Sequence, residues 1–300
     1  MLLQNFEKLI IFGARGNTAN YFLKILEKEK FEGEITVVSR DKNKNNYFNQ
    51  FKLNFKILNG DIKETNFLEK CFDNIDTVLN LANMENSPKI VEIGSKHKVK
   101  WFILVHSTMI FSKNKSKFIL NRINIEKDLL KKNKNLTILR PTMIYGNKRD
   151  INISRLIKYL DKFKIFPIFG NGKNLLQPVY VDDLSKSYFN VIKNKNITFN
   201  KSYNLAGKNS IEYLKILKII ESALKKKIIF IRLPINISAI LVKILNILFF
   251  GKFPINSSQV RRQGEDKIFS FDEATKDFNF NPIKIEEGLK LQIKDYLNTK

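Results

Sequence analysis

An apolar run, Lys8-Leu9-Ile10-Ile11-Phe12, passes straight into Gly13-Ala14-Arg15-Gly16-Asn17-Thr18-Ala19, and no other stretch narrows the choice of fold as far. A buried strand feeding a glycine turn and then a helix is the opening of a dinucleotide-binding βαβ unit. In that reading Gly13 makes the tight turn, Gly16 lets the backbone approach a pyrophosphate, and small Ala19 lets helix pack closely on strand. The helix N-terminus from about Thr18 aims N–H groups at the anion, with Arg15 and Asn17 beside it.

The rest of the first half repeats this alternation. Strands are predicted at Leu9–Phe12, Ile35–Ser39, Phe55–Leu58, Thr77–Leu81, Phe102–His106 and Leu136–Leu139, with helical spacing at Thr18–Lys28 and Asn66–Phe72 between them. This pattern implies an α/β fold with a Rossmann-type, doubly wound parallel sheet, whose ligands bind at the C-terminal strand ends. Polar residues appear just there: Gly60-Asp61, Asn80-Leu81-Ala82-Asn83, His106-Ser107-Thr108 and Arg140-Pro141. Residues 1–145 are expected to form the NAD(P)-binding core, and 146–300 mainly a small C-terminal α/β substrate lobe, with about 174–207 returning to the core. In that lobe the spacing predicts a helix over Ile151–Phe163, a loop at Phe166–Gly172, a helix over Ser257–Glu265, a strand at Ile268–Phe271 and a helix capped by Asp272.

Composition excludes several classes. One cysteine, Cys71, rules out an internal disulfide framework, and two histidines cannot build a typical zinc site without carboxylates or Cys71, so no metal is expected. The net charge of +24 comes from lysine spread along the whole chain, not from an Arg-rich and aromatic groove, which argues against nucleic acid. Glu7 and Lys8 break the first apolar stretch, so no export signal is expected and the location is cytoplasmic, with the inner membrane surface as the alternative. The most apolar segment, Ile235–Phe250, is broken by Lys243 and Asn246 and is shorter than the ~20 residues of a membrane span. A core or interface helix is the leading reading, peripheral membrane attachment the second.

Cofactor choice follows from charge at the end of the second strand, Val38-Ser39-Arg40-Asp41. Ser39 and Arg40 there, with Arg15 from the glycine loop, suit a 2′-phosphate, so NADP(H) is preferred. Asp41 keeps NAD(H) open, because a one-residue shift would place a carboxylate on the ribose.

The chain resembles an atypical or extended short-chain dehydrogenase/reductase of the NAD-dependent epimerase/dehydratase family. The resemblance runs through Gly13-x-x-Gly16, Gly60-Asp61, Leu81-Ala82, Ser107-Thr108-x-Ile110-Phe111, Leu139-Arg140-Pro141-x-x-Ile144-Tyr145-Gly146, Val179-x-Val181-Asp182-Asp183-Leu184 and Tyr203-Asn204-Leu205-Ala206-Gly207. It implies that Asp61 holds the adenine amine, that Leu81 and Ala82 lie along the cofactor, and that Ser107 faces the substrate oxygen. The family's Tyr-x-x-x-Lys pair is replaced by Phe118 and Arg122, with Glu126 at the next family position, and phenylalanine transfers no proton. The literal Tyr296-x-x-x-Lys300 at the C-terminus reads as coincidence. Substitute acids are His106, Tyr145 and Lys113, although strand alternation turns His106 away if Ser107 faces the site. Arg122 is expected at the cofactor, and Arg149, Arg155, Arg261 and Arg262 are candidates for a nucleotide-sugar diphosphate. The resemblance implies oxidoreductase or epimerase chemistry on a nucleotide-linked sugar or related carbonyl compound. The alternative is a catalytically silent dinucleotide-binding scaffold or sensor that works through a protein partner. A third reading, a basic membrane-surface protein handling lipid-linked precursors, overlaps both.

Overall fold

The computed structural model describes residues 8–250, 252–253 and 255–299. Glu7 and Lys300, used in the sequence reading, lie outside the described residues. Alternating strands and helices are β1 (Lys8–Phe12), α1 (Asn17–Lys28), β2 (Glu34–Ser39), β3 (Phe55–Asn59), α2 (Thr65–Lys70), β4 (Thr77–Asn80), α3 (Ser87–Lys96), β5 (Trp101–Val105), α4 (Lys117–Lys132) and β6 (Leu136–Pro141). With the later strand Ser202–Leu205 they form a seven-stranded sheet, ordered Ser202–Leu205, β6, β5, β4, β1, β2, β3. Every pairing in it is parallel. The order reverses between β1 and β4, which opens a crevice at their C-terminal ends.

The period-two pattern of β1 explains how the sheet is covered. Leu9 and Ile11 pack with Phe22 and Leu23 of α1 on one face. Ile10 and Phe12 pack with Leu68 and Ile90 of the helices on the other. The helix Val181–Lys193 lies against α1, so the segment leading into strand Ser202–Leu205 sits with the sheet.

A separate core of Ile153, Ile157, Leu160, Ile216, Leu217, Ile220, Leu289 and Ile293 holds the C-terminal helices together. The segment expected to be a loop contains instead a strand, Ile165–Phe169, parallel to Ile229–Leu233. Pro167 is tolerated because this two-stranded pair is all edge. The strand expected at Ile268–Phe271 does not form; Lys267 alone bridges Leu176. Asp272 begins the helix Asp272–Phe278 rather than capping it. The apolar helix Ile235–Leu248 is not a core helix, since only Ser238, Ala239 and Val242 are buried. No described helix is long and apolar enough to cross a membrane.

Candidate active site

A cleft of about 990 Å³ opens at the switch point, lined by Gly13, Arg15 and Gly16 after β1, Ser39 and Arg40 at the end of β2, Asp61 after β3, and Leu81 and Ala82 after β4. Gly13 has φ +77°, and a Cβ there would meet the Ala82 nitrogen at 2.7 Å and the Leu81 carbonyl carbon at 2.8 Å. Its bare backbone therefore lets the glycine loop press onto the end of β4. At Gly16 an added Cβ would meet the Gly13 oxygen at 2.9 Å, within the turn itself. The Gly16 N–H bonds that same oxygen at 2.8 Å, and α1 starts one residue later. Asp61 accepts the Lys63 N–H at 3.0 Å through one oxygen, leaving the other for a ligand.

Charge at the β2 end distinguishes the predicted cofactor residues. Ser39 is buried and donates its hydroxyl to the Asp41 carbonyl at 3.0 Å, so it is not a free phosphate donor. Asp41 accepts the Asn43 N–H at 3.1 Å and pairs with Lys44 at 3.1 Å; the Lys44 bond holds its carboxyl below the ordinary value. Arg15, Arg40 and Lys44 all line this end. Arg149, expected at the substrate, reaches back instead and donates to the Arg15 carbonyl at 3.0 Å. Asn17 and Thr18 do not line the cleft: the Asn17 Oδ1 accepts from Asn147, and the Thr18 carbonyl accepts from Ser185.

His106 is not available as a proton donor to substrate. It is buried, with Nδ1–H donating to Glu126 at 2.8 Å and Nε2 lying 3.3 Å from the Ser87 hydroxyl. Asn80 donates to Ser87 at 3.0 Å and accepts the Ala82 N–H at 3.1 Å, while Arg140 donates to Glu126 at 2.7 Å. A connected polar chain thus ties β4, α3, β5, α4 and β6 and fixes the backbone of the cleft floor. Burial alone would raise the Glu126 pKa, but the His106 hydrogen bond and the Arg140 charge outweigh it, and its carboxyl stays below the ordinary range. Tyr145 is also excluded: it is fully buried, its hydroxyl against Gly288, and burial pushes its phenol far above the usual value.

The rim beyond the cleft floor carries the remaining polar groups. Ser107 accepts the Met109 N–H at 3.2 Å, which leaves its own hydroxyl proton to donate outward. Arg122 stacks its guanidinium 4.2 Å from the Phe118 ring centre, donates to Glu85 at 2.9 Å and reaches Asn83 at 3.4 Å. Glu85 lines the cleft, and its second oxygen is buried without a partner among the described residues. Nothing in the local sequence singled it out, since its partner lies 37 residues away.

A second cationic group faces this rim from the C-terminal lobe. The helix Ser257–Arg262 delivers Arg262, whose Nε is buried with no partner among the described residues and whose pKa is lowered by burial and by the charge of Arg122. Lys267 stands beside it and is likewise pushed down by burial and by Arg262. Glu265 offsets part of this charge while accepting from Ser112 at 2.8 Å and from the Asn114 N–H at 2.8 Å, which docks the lobe on the short loop after Ser107. Arg261 and Arg155 are exposed, so Arg262 is the inward arginine of its pair. Lys267 was missed because its position depends on the backbone bridge to Leu176.

The model of the NAD dependent epimerase/dehydratase family matches residues 9–97, the stretch from β1 through α3 that carries most of the cleft. This stretch is similar to that family. Over 241 residues the chain is 23% identical to the N-acetyl-alpha-D-glucosaminyl-diphospho-ditrans,octacis-undecaprenol 4-epimerase of Escherichia coli O157:H7, covering 68% of this chain and 72% of that one. It is 20% identical over 208 residues to the NADH dehydrogenase [ubiquinone] 1 alpha subcomplex subunit 9 of Arabidopsis thaliana, covering 69% of this chain and 51% of that one. The UDP-glucuronic acid 4-epimerase of Bacillus cereus, solved with UDP-glucuronic acid and NAD, shares the fold with a TM-score of 0.74 and 18% identity over 98% of this chain and 100% of that one. The epimerase/dehydratase fold therefore extends well beyond the matched stretch.

Proposed function

We propose that this protein binds NADP(H) and carries out oxidoreductase or epimerase chemistry on a sugar linked to a diphosphate, of the nucleotide-sugar class. One observation carries the reading: the Nε of half-buried Arg262 is buried with no partner among the described residues, and Arg262 lies within electrostatic reach of both Lys267 and Arg122, a cationic cluster that suits a second anion. Glu265 offsets only part of this charge, and a buried guanidinium N–H without an acceptor favours an anion that completes it. The named substrates of the Escherichia coli and Bacillus cereus proteins both have such a diphosphate. In this reading residues 1–145 hold the dinucleotide, and residues 146–300 mainly supply the substrate side, apart from about 174–207, which joins the sheet core.

The residues fit a dinucleotide, because Gly13 leaves the loop flush with β4 and the cleft walls are apolar at Leu81 and Ala82. A nicotinamide dinucleotide supplies a hydride donor or acceptor when bound. The chain's own residues orient it and handle the proton: as a sugar hydroxyl is oxidised, its proton passes to the free oxygen of Glu85, while the Ser107 hydroxyl donates to the developing carbonyl. Arg122 keeps Glu85 in place through its other oxygen.

Substrate binding is tested by Arg262→Ala. We expect KM for UDP-linked sugars to rise about 10- to 100-fold with NADP(H) affinity unchanged, the loss of one charge-assisted contact to a diphosphate. An unchanged KM contradicts the second anion site. Cofactor preference is tested by Arg40→Ala, expected to weaken NADP(H) by about tenfold or more while NAD(H) moves little. Equal loss for both dinucleotides would remove the case for a 2′-phosphate site.

A silent scaffold is the second reading. It is favoured by Phe118, 52% exposed where the family places its tyrosine, and by the named role of the Arabidopsis thaliana protein as a complex subunit.

A further inference from the structure

The helix Ile235–Leu248 turns its apolar side outward. Ile237, Ile240, Leu241, Ile244, Ile247 and Leu248 are all exposed, between 48% and 68%. At 100° per residue these six fall within an arc of about 120°, one continuous aliphatic stripe on the solvent side. On the opposite side Ser238 is buried, and Ala239 and Val242 pack with Val260 of the helix that carries Arg262. The stripe ends at Phe249 and at Phe250, which is 92% exposed. An exposed patch of this kind on an otherwise well-buried fold marks an interaction surface.

The charge around the stripe says what covers it. Between Glu221 and Glu265 the sequence holds eight lysines and arginines and no acidic residue; Lys226 pairs with Asp161 and Arg262 turns inward, while Lys225, Lys227, Arg232, Lys243, Lys252 and Arg261 are exposed. A second copy of this chain would bring the same acid-free segment against itself, so like charges oppose self-association through this face. An anionic bilayer complements both features, with acyl chains for the aliphatic stripe and headgroups for the surrounding cations. The stripe presents no hydrogen-bonding group, so it suits a fluid apolar medium and not a partner that needs directional contacts. At 14 residues the helix is about 21 Å long and is placed to lie in the membrane plane.

We propose that the helix Ile235–Leu248 docks the protein on anionic lipid bilayers, apolar stripe inward. This goes beyond the catalytic reading and does not depend on it. Docking by this helix holds the lobe bearing Arg262 and Lys267 close to the bilayer, because the two helices share a core.

The test uses the full chain and sedimentation with vesicles of phosphatidylcholine alone or with about 30% phosphatidylglycerol, at about 0.1 M and 0.5 M salt. The wild type is expected to co-sediment with the anionic vesicles, with part of the binding surviving high salt. The double variant I240D/I244D is expected to bind at least tenfold more weakly. Both positions are exposed, so its circular dichroism and NADP(H) binding should match the wild type. Wild-type protein that stays in the supernatant with both vesicles overturns the proposal. So does equal binding by the double variant, which would mean attraction by diffuse charge alone, and so does a wild-type dimer that the double variant dissolves, which would make the stripe a protein interface.

Discussion

Glu126→Ala is expected to lower the unfolding free energy by about 3–5 kcal/mol, the usual consequence of removing one partner from a buried charged network. Glu126 accepts from Arg140 through one oxygen and from His106 through the other. Alanine leaves both donors buried without an acceptor and cuts the chain that runs through Ser87 and Asn80 to the Ala82 N–H. A fall in Tm of roughly 5–10 °C is the readout, with exposed Lys127→Ala as a control expected to move it little. The pH dependence has a definite sign. Because the folded carboxyl is held below its ordinary value, its contribution is complete above the ordinary range and is lost as pH falls through the lowered folded value. Glu126→Gln should therefore flatten the acid side of the stability curve. A Tm unchanged by Glu126→Ala would show that the network does not support the cleft floor.

Glu85→Gln is the prediction with the largest effect on rate. Glutamine keeps the size of the side chain and an oxygen for Arg122, so the rim geometry is preserved while the proton-accepting carboxylate is removed. Turnover is expected to fall about 10²- to 10⁴-fold, the range of a positioned acid or base, with NADP(H) affinity within about threefold of wild type. Full turnover in Glu85→Gln would move proton transfer to Ser107 or to substrate-borne groups. Phe118 cannot take it in either case.

The parts of the fold set by short-range pattern were legible. β1 through β6 and the glycine loop follow from period-two apolar runs, turn chemistry and helical spacing, and each observed strand overlaps the predicted one. The pairing of Ile165–Phe169 with Ile229–Leu233 was not, because its partners are some 60 residues apart in sequence and Pro167 argues against a strand. The cleft residues Gly13, Arg15, Gly16, Arg40, Asp61, Leu81 and Ala82 could be named because the switch-point rule places ligands at strand ends. Tyr145 and His106 were named only as substitute acids, with strand alternation already turning His106 away if Ser107 faces the site, and packing encloses both. The apolar stripe of Ile235–Leu248 was plain in the sequence, but which side meets solvent is decided by the contact with Val260.

The most direct test of the central claim is the near-ultraviolet absorbance of the purified chain, loaded with NADP⁺ or NADPH, as UDP- and dTDP-linked sugars are added. The proposed chemistry predicts a sugar-dependent change in the reduced nicotinamide band, stronger with NADP(H) than with NAD(H) and lost in Gly16→Val, which blocks the turn at the Gly13 oxygen. Tight NADP(H) binding with no change in that band across the panel, and with no 4-epimer among the products, would contradict it and leave the silent scaffold.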